Sequence, residues 1–65
     1  MKIRLNGTER QTQAATISIL LEELGLPRQM VLVEHNGEAP RREEWDGARL
    51  QDGDAIEVLR VAAGG

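Results

Sequence analysis

A chain of 65 residues is enough for one domain, and a fold of this size buries only about 60% of its unfolded surface. Eleven acidic and eight basic residues give a formal net charge of −3, which argues against nucleic acid as a partner. Cysteine is absent, which excludes disulfides and cysteine nucleophiles. The chain begins without an apolar stretch long enough for a signal peptide or a membrane span, so we expect a cytoplasmic protein that does not enter a membrane.

The first predicted element is a β-hairpin. Apolar and polar residues alternate over residues 2–5, as they do in a half-buried strand. Asn6 and Gly7 follow, and this pair suits the positive φ angles of a two-residue hairpin turn. The polar stretch 8–13 would form the weaker second arm.

The next predicted element is an amphipathic helix that begins after Thr16, a suitable N-cap. Gly25 is placed for a left-handed C-cap, and Pro27 prevents the helix from resuming. Apolar residues at i, i+3, i+4 and i+7 form one stripe that should face the core, made of Ile17, Leu20, Leu21 and Leu24.

The second half of the chain predicts further strands. The unbroken apolar run 30–33 indicates a strand buried on both faces, hence a central one, before a turn at Asn36-Gly37. Asp-Gly-Asp at 52–54 is typical of another turn and leads into the last strand, 55–61.

A short helical turn fits residues 41–45. We expect Trp45, the one aromatic residue, to cover an end of the small core. Arg41 and Arg42 suit either a recognition patch or a plain surface turn.

This order of elements predicts an α+β fold of the β-grasp, ubiquitin-like kind. We expect a mixed sheet of four or five strands, with the first and last strands adjacent at its centre and the main helix across one face. Residues 1–61 should form the domain, and residues 62–65 a flexible, reactive tail.

Residues able to carry out catalysis are scarce. His35 adjoins a turn, where we expect it to be exposed to solvent, and no credible set of nucleophile, base and orienting group is present. Asp52 and Asp54 lack the other ligands of a calcium loop, and no phosphate-cradling glycine motif occurs. We therefore expect a substrate of partner enzymes, without a metal or bound cofactor, and not an enzyme.

The one distinctive reactive group is the carboxylate of Gly65. Gly64 and Gly65 lack a Cβ and follow the small residues Ala62 and Ala63, so this tail can thread into a narrow channel of another enzyme. The alternative is an inert, frayed end.

Alternation along the last strand predicts a docking surface beside that tail. If Ile56 and Val58 point to the core, Leu59 and Val61 lie on the opposite face. We expect these two residues to be an apolar anchor for partner enzymes. The alternative is that the protein's own loops cover this face.

Several short segments together resemble the ThiS family of thiamine-biosynthesis sulfur carriers. They are Val33-Glu34-His35-Asn36-Gly37, Pro40-Arg41, Trp45, Leu50, Asp52-Gly53-Asp54 and Gly64-Gly65. The resemblance runs the full length of the chain. One departure is the spacing Pro-Arg-x-x-x-Trp, where the family usually has one residue fewer.

The resemblance implies a β-grasp carrier whose Gly65 is adenylated by a ThiF-like enzyme at the expense of ATP. A cysteine desulfurase or another persulfide donor would then supply sulfur, giving a thiocarboxylate that a ThiG-like thiazole synthase uses. Two alternatives stay open: a carrier of the same fold for molybdopterin or another sulfur pathway, and an interaction module or protein modifier.

Overall fold

The computed structural model describes residues 1–61. Their secondary structure consists of four strands, one α-helix and two short 3-10 turns. The strands, the α-helix and the second 3-10 turn follow the predicted order, and the first 3-10 turn was not predicted. The elements are β1 Lys2–Leu5, β2 Thr8–Gln11, α1 Ile17–Leu24, a 3-10 turn Arg28–Met30, β3 Val31–His35, a 3-10 turn Arg42–Glu44 and β4 Ala55–Arg60. The predicted tail, residues 62–65, lies outside the described residues.

The hairpin forms at the predicted turn. Asn6 has φ 50° and Gly7 has φ 81°, the positive angles that a two-residue turn of this kind requires. The Asn6 side chain also accepts a hydrogen bond from the Val58 amide at 2.8 Å and donates to the Val58 carbonyl at 3.3 Å. The turn residue therefore ties the hairpin to β4.

Helix α1 has the caps that the sequence predicts. The Thr16 hydroxyl accepts a hydrogen bond from the Ile19 amide, and Gly25 ends the helix in the left-handed conformation with φ 71°. Ile17, Leu20 and Leu21 are buried by this arrangement. The apolar stripe faces the core, as predicted.

The sheet has four strands in the described residues, in the order β2-β1-β4-β3. The central pair, β1 and β4, is parallel, with Arg4 opposite Ala55 and Leu5 opposite Ile56. The other two pairs are antiparallel. This is the β-grasp arrangement, and the predicted adjacency of the first and last strands is confirmed.

The core lies between α1 and one face of the sheet. The long loop between β3 and β4 closes one end of it with Trp45 and Leu50. The buried apolar side chains are Ile3, Ala14, Ile17, Leu20, Leu21, Val31, Val33, Trp45, Leu50 and Ile56. The indole nitrogen of Trp45 donates to the Pro40 carbonyl at 3.1 Å, which satisfies its polar group. The predicted packing role of Trp45 is confirmed.

The prediction of a central strand at residues 30–33 was wrong. The strand begins at Val31 and forms the edge of the described sheet, next to β4 alone. Helix α1 covers one face, so Val31 and Val33 are buried while Leu32 between them is exposed. An apolar run can belong to a strand with only one covered face.

The expected solvent exposure of His35 was also wrong. Its ring is half-buried, and Nε2 lies 2.8 Å from Oδ2 of Asp54. The adjacent turn does form, because Asn36 has φ 53° and Gly37 has φ 86°. The turn therefore holds His35 against a second turn instead of presenting it to water.

Candidate functional site

Four predicted site residues, Gly65, Gly64, Ala63 and Ala62, lie outside the described residues. The structure places the strand that precedes them. The Val61 amide donates to the Met30 carbonyl at 2.8 Å, so the pairing of β4 with the edge of the sheet continues one residue past Arg60. The backbone is thus held in the sheet up to the last described residue.

The predicted alternation of β4 is confirmed. Ile56 is fully buried and Val58 is half-buried, whereas Leu59 and Val61 point to the opposite face of the sheet. Leu59 is 55% exposed and Val61 is 40% exposed. The alternative that the protein's own loops cover this face therefore does not hold for residues 1–61.

Sequence reasoning missed Leu32 as a member of this surface. Leu32 is directly opposite Leu59 in the β3–β4 register and is 50% exposed. Side chains alternate between the two faces of a strand, so a strand covered on one face only would have placed Leu32 opposite to Val31 and Val33. Two large apolar side chains therefore lie side by side on the open face of the sheet.

An open groove of about 420 Å³ borders this pair. One side of the groove is the sheet, with Leu32 and Leu59, and the other is the segment 39–45 of the long loop. An apolar groove next to exposed leucines can receive an apolar side chain of another protein.

The roles of Arg42 and Trp45 follow from a cluster beneath that groove. Arg42 donates from Nε to the Arg28 carbonyl at 2.9 Å, and from Nη2 to the carbonyls of Gln29 at 3.3 Å and Val31 at 3.2 Å. Arg28 donates in return from Nη2 to the Arg42 carbonyl at 2.9 Å. The two arginines fasten the two 3-10 turns to each other.

Both guanidinium groups also lie over the Trp45 ring. Their central carbons are 5.6 Å from the ring centroid for Arg28 and 5.8 Å for Arg42, within cation–π range. Arg41 differs, because it is exposed and its only described ion pair is with Glu43 at 3.8 Å. Arg42 is therefore a structural residue, whereas the Arg41 side chain has one exposed ion pair among the described residues.

Three carboxylates have lowered pKa values. A hydrogen bond from the Thr12 hydroxyl, followed by Arg10, lowers the pKa of Glu23. A hydrogen bond from the Ser18 hydroxyl, followed by Arg28, lowers the pKa of Asp46. The hydroxyl and guanidinium donors thus stabilise the ionised forms of two ordinary surface carboxylates.

Asp54 is the third such group. Burial acts to raise its pKa, but hydrogen bonds from His35, from Asn36 at 3.1 Å and from the Gln51 amide at 2.9 Å lower it overall. No hydroxyl is bonded to His35 within residues 1–61, so the His35–Asp54 pair has no nucleophile to activate there.

Two further kinds of site are absent from the described part of the chain. No three acidic or histidine side chains there come together as a metal centre would require. No helix there has the length and apolar character needed to cross a bilayer.

Comparison with known proteins identifies one family. The model of the ThiS family matches residues 3–65. The sulfur carrier protein ThiS of Thermus thermophilus is 38% identical over 61 residues, which cover 94% of this chain and 95% of that protein. A thiazole synthase of Paramagnetospirillum magneticum is 36% identical over 66 residues. That match covers 100% of this chain, which spans only 20% of the length of the thiazole synthase.

Solved structures show the same fold. The crystal structure of the thiamine biosynthesis protein ThiS from Geobacter metallireducens has a TM-score of 0.83 and 35% identity, with 100% of both chains covered. A solution structure of a thiamine biosynthesis protein from the same organism has a TM-score of 0.81 and 35% identity, covering 100% of this chain and 88% of that one.

Proposed function

This chain belongs to the ThiS family of sulfur carriers of thiamine biosynthesis, and we propose that it carries sulfur as a thiocarboxylate on Gly65. In this proposal the chain is not an enzyme. It is the sulfur-donating substrate of partner enzymes, and the sulfur that it donates enters the thiazole ring of thiamine.

The proposed chemistry begins with activation of the carboxylate. A ThiF-like enzyme joins the Gly65 carboxylate to the α-phosphate of ATP, which forms an acyl-adenylate and releases pyrophosphate. A persulfide from a cysteine desulfurase or another donor then attacks the carbonyl carbon, and AMP leaves. A thiol reduces the resulting acyl disulfide and releases the thiocarboxylate. The chain has no cysteine, so it contributes no thiol to these steps.

The observation that carries the proposal is the family match, which extends through Gly64 and Gly65. The geometry of β4 is consistent with it, because Val61 is still bonded to the sheet and the four remaining residues follow directly. A tail of alanines and glycines suits entry into a narrow channel, since it has no bulky side chain.

A ThiG-like thiazole synthase is the proposed sulfur acceptor. A polypeptide named thiazole synthase contains a segment similar to this whole chain, which supports pairing this chain with an enzyme of that kind. The apolar surface of Leu59 and Val61, extended by Leu32, would contact this enzyme and the activating enzyme in turn.

The proposal assigns no resident metal or cofactor to the chain, because the activating enzyme binds and consumes ATP. It places the protein in the cytoplasm, where ATP and persulfide donors are found.

The direct test is intact-protein mass spectrometry. The protein is incubated with its cognate activating enzyme, ATP, a persulfide donor and a thiol, and should gain the mass of one oxygen-to-sulfur exchange at Gly65. Without the persulfide, the reaction should stop at the acyl-adenylate. A protein modifier would instead appear in an amide bond to a lysine of another protein. If neither product forms with an active cognate enzyme, the carrier function is wrong.

A further inference from the structure

Lysine is nearly absent from this chain. Of its eight basic residues all are arginine except Lys2. The two side chains differ in reactivity as well as in shape. A small fraction of any exposed lysine is a free amine at neutral pH and attacks activated acyl groups, whereas a guanidinium group stays protonated and does not. A chain whose own carboxyl group becomes activated therefore has a chemical reason to keep lysine away from that group.

The fold places Lys2 at the end of the sheet opposite to the tail. The Lys2 carbonyl accepts a hydrogen bond from the Gly53 amide at 2.7 Å, before β4 begins. Eight residues along the chain lead from Gly53 to Val61, a distance of about 26 Å along an extended strand. The four residues after Val61 span at most about 14 Å, which leaves a gap of about 12 Å. One lysine side chain does not bridge that gap.

The amine of Met1 lies at the same far end as Lys2. It donates to the Thr12 carbonyl at 3.1 Å, and the Thr12 amide donates to the Met1 carbonyl at 2.9 Å. The Lys2 ammonium group pairs with Glu9 at 2.9 Å. Both amines are therefore out of reach of an acyl group at Gly65.

Arginine alone supplies the positive charge at the tail end of the described sheet. Arg60 is the last residue of β4, and Arg42 donates to the carbonyl of Val31, the partner of Arg60 in the β3–β4 register. Arg28 donates in turn to the Arg42 carbonyl. Hydrogen bonding explains why position 42 is arginine, because its planar fork reaches three carbonyls that one ammonium group would not.

Folding gives no such reason for arginine at position 60. Arg60 is exposed, and it forms no ion pair with the acidic side chains of residues 1–61. Its side chain borders a hollow of about 350 Å³, whose lining includes Leu24, Leu26 and Val58. The aliphatic stem of a lysine covers apolar surface as the stem of an arginine does. The difference between the two residues at this position is therefore the reactivity of the charged group.

We propose that Arg60 is a specificity-determining residue for sulfur transfer to Gly65, an inference that rests on the proposed function. Arg60 keeps a positive charge beside the tail and withholds an amine from the activated carbonyl. In an Arg60→Lys chain, the amine nitrogen attacks the Gly65 carbonyl carbon, AMP leaves with the electrons of the broken bond, and the nitrogen loses a proton. The product is a lactam, a ring closed by an amide bond. This reaction competes with the persulfide, because both reacting groups belong to one chain.

The test uses the full chain with Gly65 converted to the thioester of a small thiol, prepared by thiolysis of an intein fusion. The thioester replaces the acyl-adenylate, since each has a carbonyl carbon with a good leaving group, and it needs no activating enzyme. Arg60→Lys places an amine beside the tail. Arg10→Lys, on β2 opposite Ile3, has the same charge but places its amine near the far end of the sheet. Arg60→Gln removes the guanidinium group without adding an amine.

Intact-protein mass spectrometry separates the products, because the lactam is lighter by one water than the hydrolysed chain. We expect Arg60→Lys to form lactam at least about tenfold faster than the wild-type protein, Arg10→Lys or Arg60→Gln. The rate should not depend on protein concentration, as befits a reaction within one chain. Rates are normalised to the reaction of each thioester with added methylamine, and thermal unfolding verifies that all four proteins are folded.

Equal rates of lactam formation in Arg60→Lys and Arg10→Lys would overturn the inference. A second measurement uses the activating enzyme, ATP and a persulfide donor. The wild-type protein should then give thiocarboxylate, and Arg60→Lys a mixture of thiocarboxylate and lactam. Thiocarboxylate alone from both proteins would also overturn the inference while leaving the proposed function intact. If the wild-type protein is never adenylated by an active cognate enzyme, the proposed function fails and this inference fails with it.

Discussion

Nε2 of His35 lies 2.8 Å from Oδ2 of Asp54, and this contact joins the two turns at one end of the sheet. The same carboxylate accepts hydrogen bonds from the Asn36 side chain and from the backbone amide of Gln51. The Asn36 side chain in turn accepts from the Ala55 amide at 2.8 Å. Asp54 is thus the centre of a network that fixes where β4 begins.

The first prediction concerns the pH dependence of stability. The folded-state pKa of Asp54 is lowered, so its carboxylate stabilises the fold above its unfolded value of about 3.9. That contribution is lost as the pH falls through the lower, folded-state pKa. Asp54→Asn should reduce the free energy of unfolding at pH 7 by about 1–3 kcal/mol.

Urea unfolding between pH 7 and pH 2 measures this effect. Part of the acid-induced loss of stability should disappear in Asp54→Asn. The part that comes from Glu23 and Asp46, whose pKa values are also lowered, should remain. Glu22→Gln, an exposed change on the helix, is the control. An unchanged pH profile in Asp54→Asn would mean that the network does not stabilise the fold.

The second prediction concerns the helix stripe. Leu20 and Leu21 are buried, and Leu20→Ala or Leu21→Ala should reduce the free energy of unfolding by about 2–5 kcal/mol. The loss comes from the removed methyl groups and the cavity that they leave. Ile19→Ala, on the exposed side of the same helix, should cost much less. Chemical denaturation compares the three variants, and equal losses would contradict the assigned core.

The third prediction concerns the arginine–tryptophan cluster. Arg42→Ala leaves three carbonyls without their donor and uncovers the Trp45 ring, so stability should fall by about 1 kcal/mol or more. Arg42→Lys should not restore it, because an ammonium group lacks the planar fork that reaches several carbonyls. Arg41→Ala is the matched control and should change stability by less than about 0.5 kcal/mol. Equal Tm values for Arg42→Ala and Arg41→Ala would rule out a structural role for this cluster.

Elements with local signals could be predicted from the sequence. The hairpin turn, the helix with both caps and the alternation of β4 each depend on residues within a few positions of one another. The edge position of β3 and the burial of His35 could not, because they depend on partners far along the chain. Asp54 is 19 residues from His35, and no local pattern shows that the two turns meet.

The candidate site divides in the same way. Leu59 and Val61 followed from alternation within one strand, whereas the position of Leu32 beside Leu59 needed the β3–β4 register. Arg42 was ambiguous for a related reason, since its hydrogen-bond acceptors are 11 to 14 residues away in the chain.

The fourth prediction concerns the apolar part of the docking surface. Leu59→Asp replaces one member of the exposed Leu32–Leu59 pair with a charged side chain. This change should weaken binding to the activating enzyme and to the thiazole synthase by about tenfold or more. The fold should persist, because the Leu59 side chain is outside the core. Ile19→Asp introduces the same charge at another exposed apolar position on the far side of the sheet. If folded Leu59→Asp binds as tightly as Ile19→Asp, this surface does not take part in docking.

The last prediction assigns the reaction to the end of the chain. Deleting Gly65 should abolish the oxygen-to-sulfur exchange, because the carboxylate then belongs to a residue placed one position short of the adenylating site. Gly64→Val should impair the exchange too, since its side chain adds bulk to a tail that must enter a narrow channel. Both variants should keep the wild-type Tm, because the core is built from residues 3–56. Ile19→Ala, remote from the tail, should exchange sulfur normally. Intact mass spectrometry follows the product and thermal unfolding the fold. A folded Gly65 deletion that still gains sulfur would move the acceptor to another group.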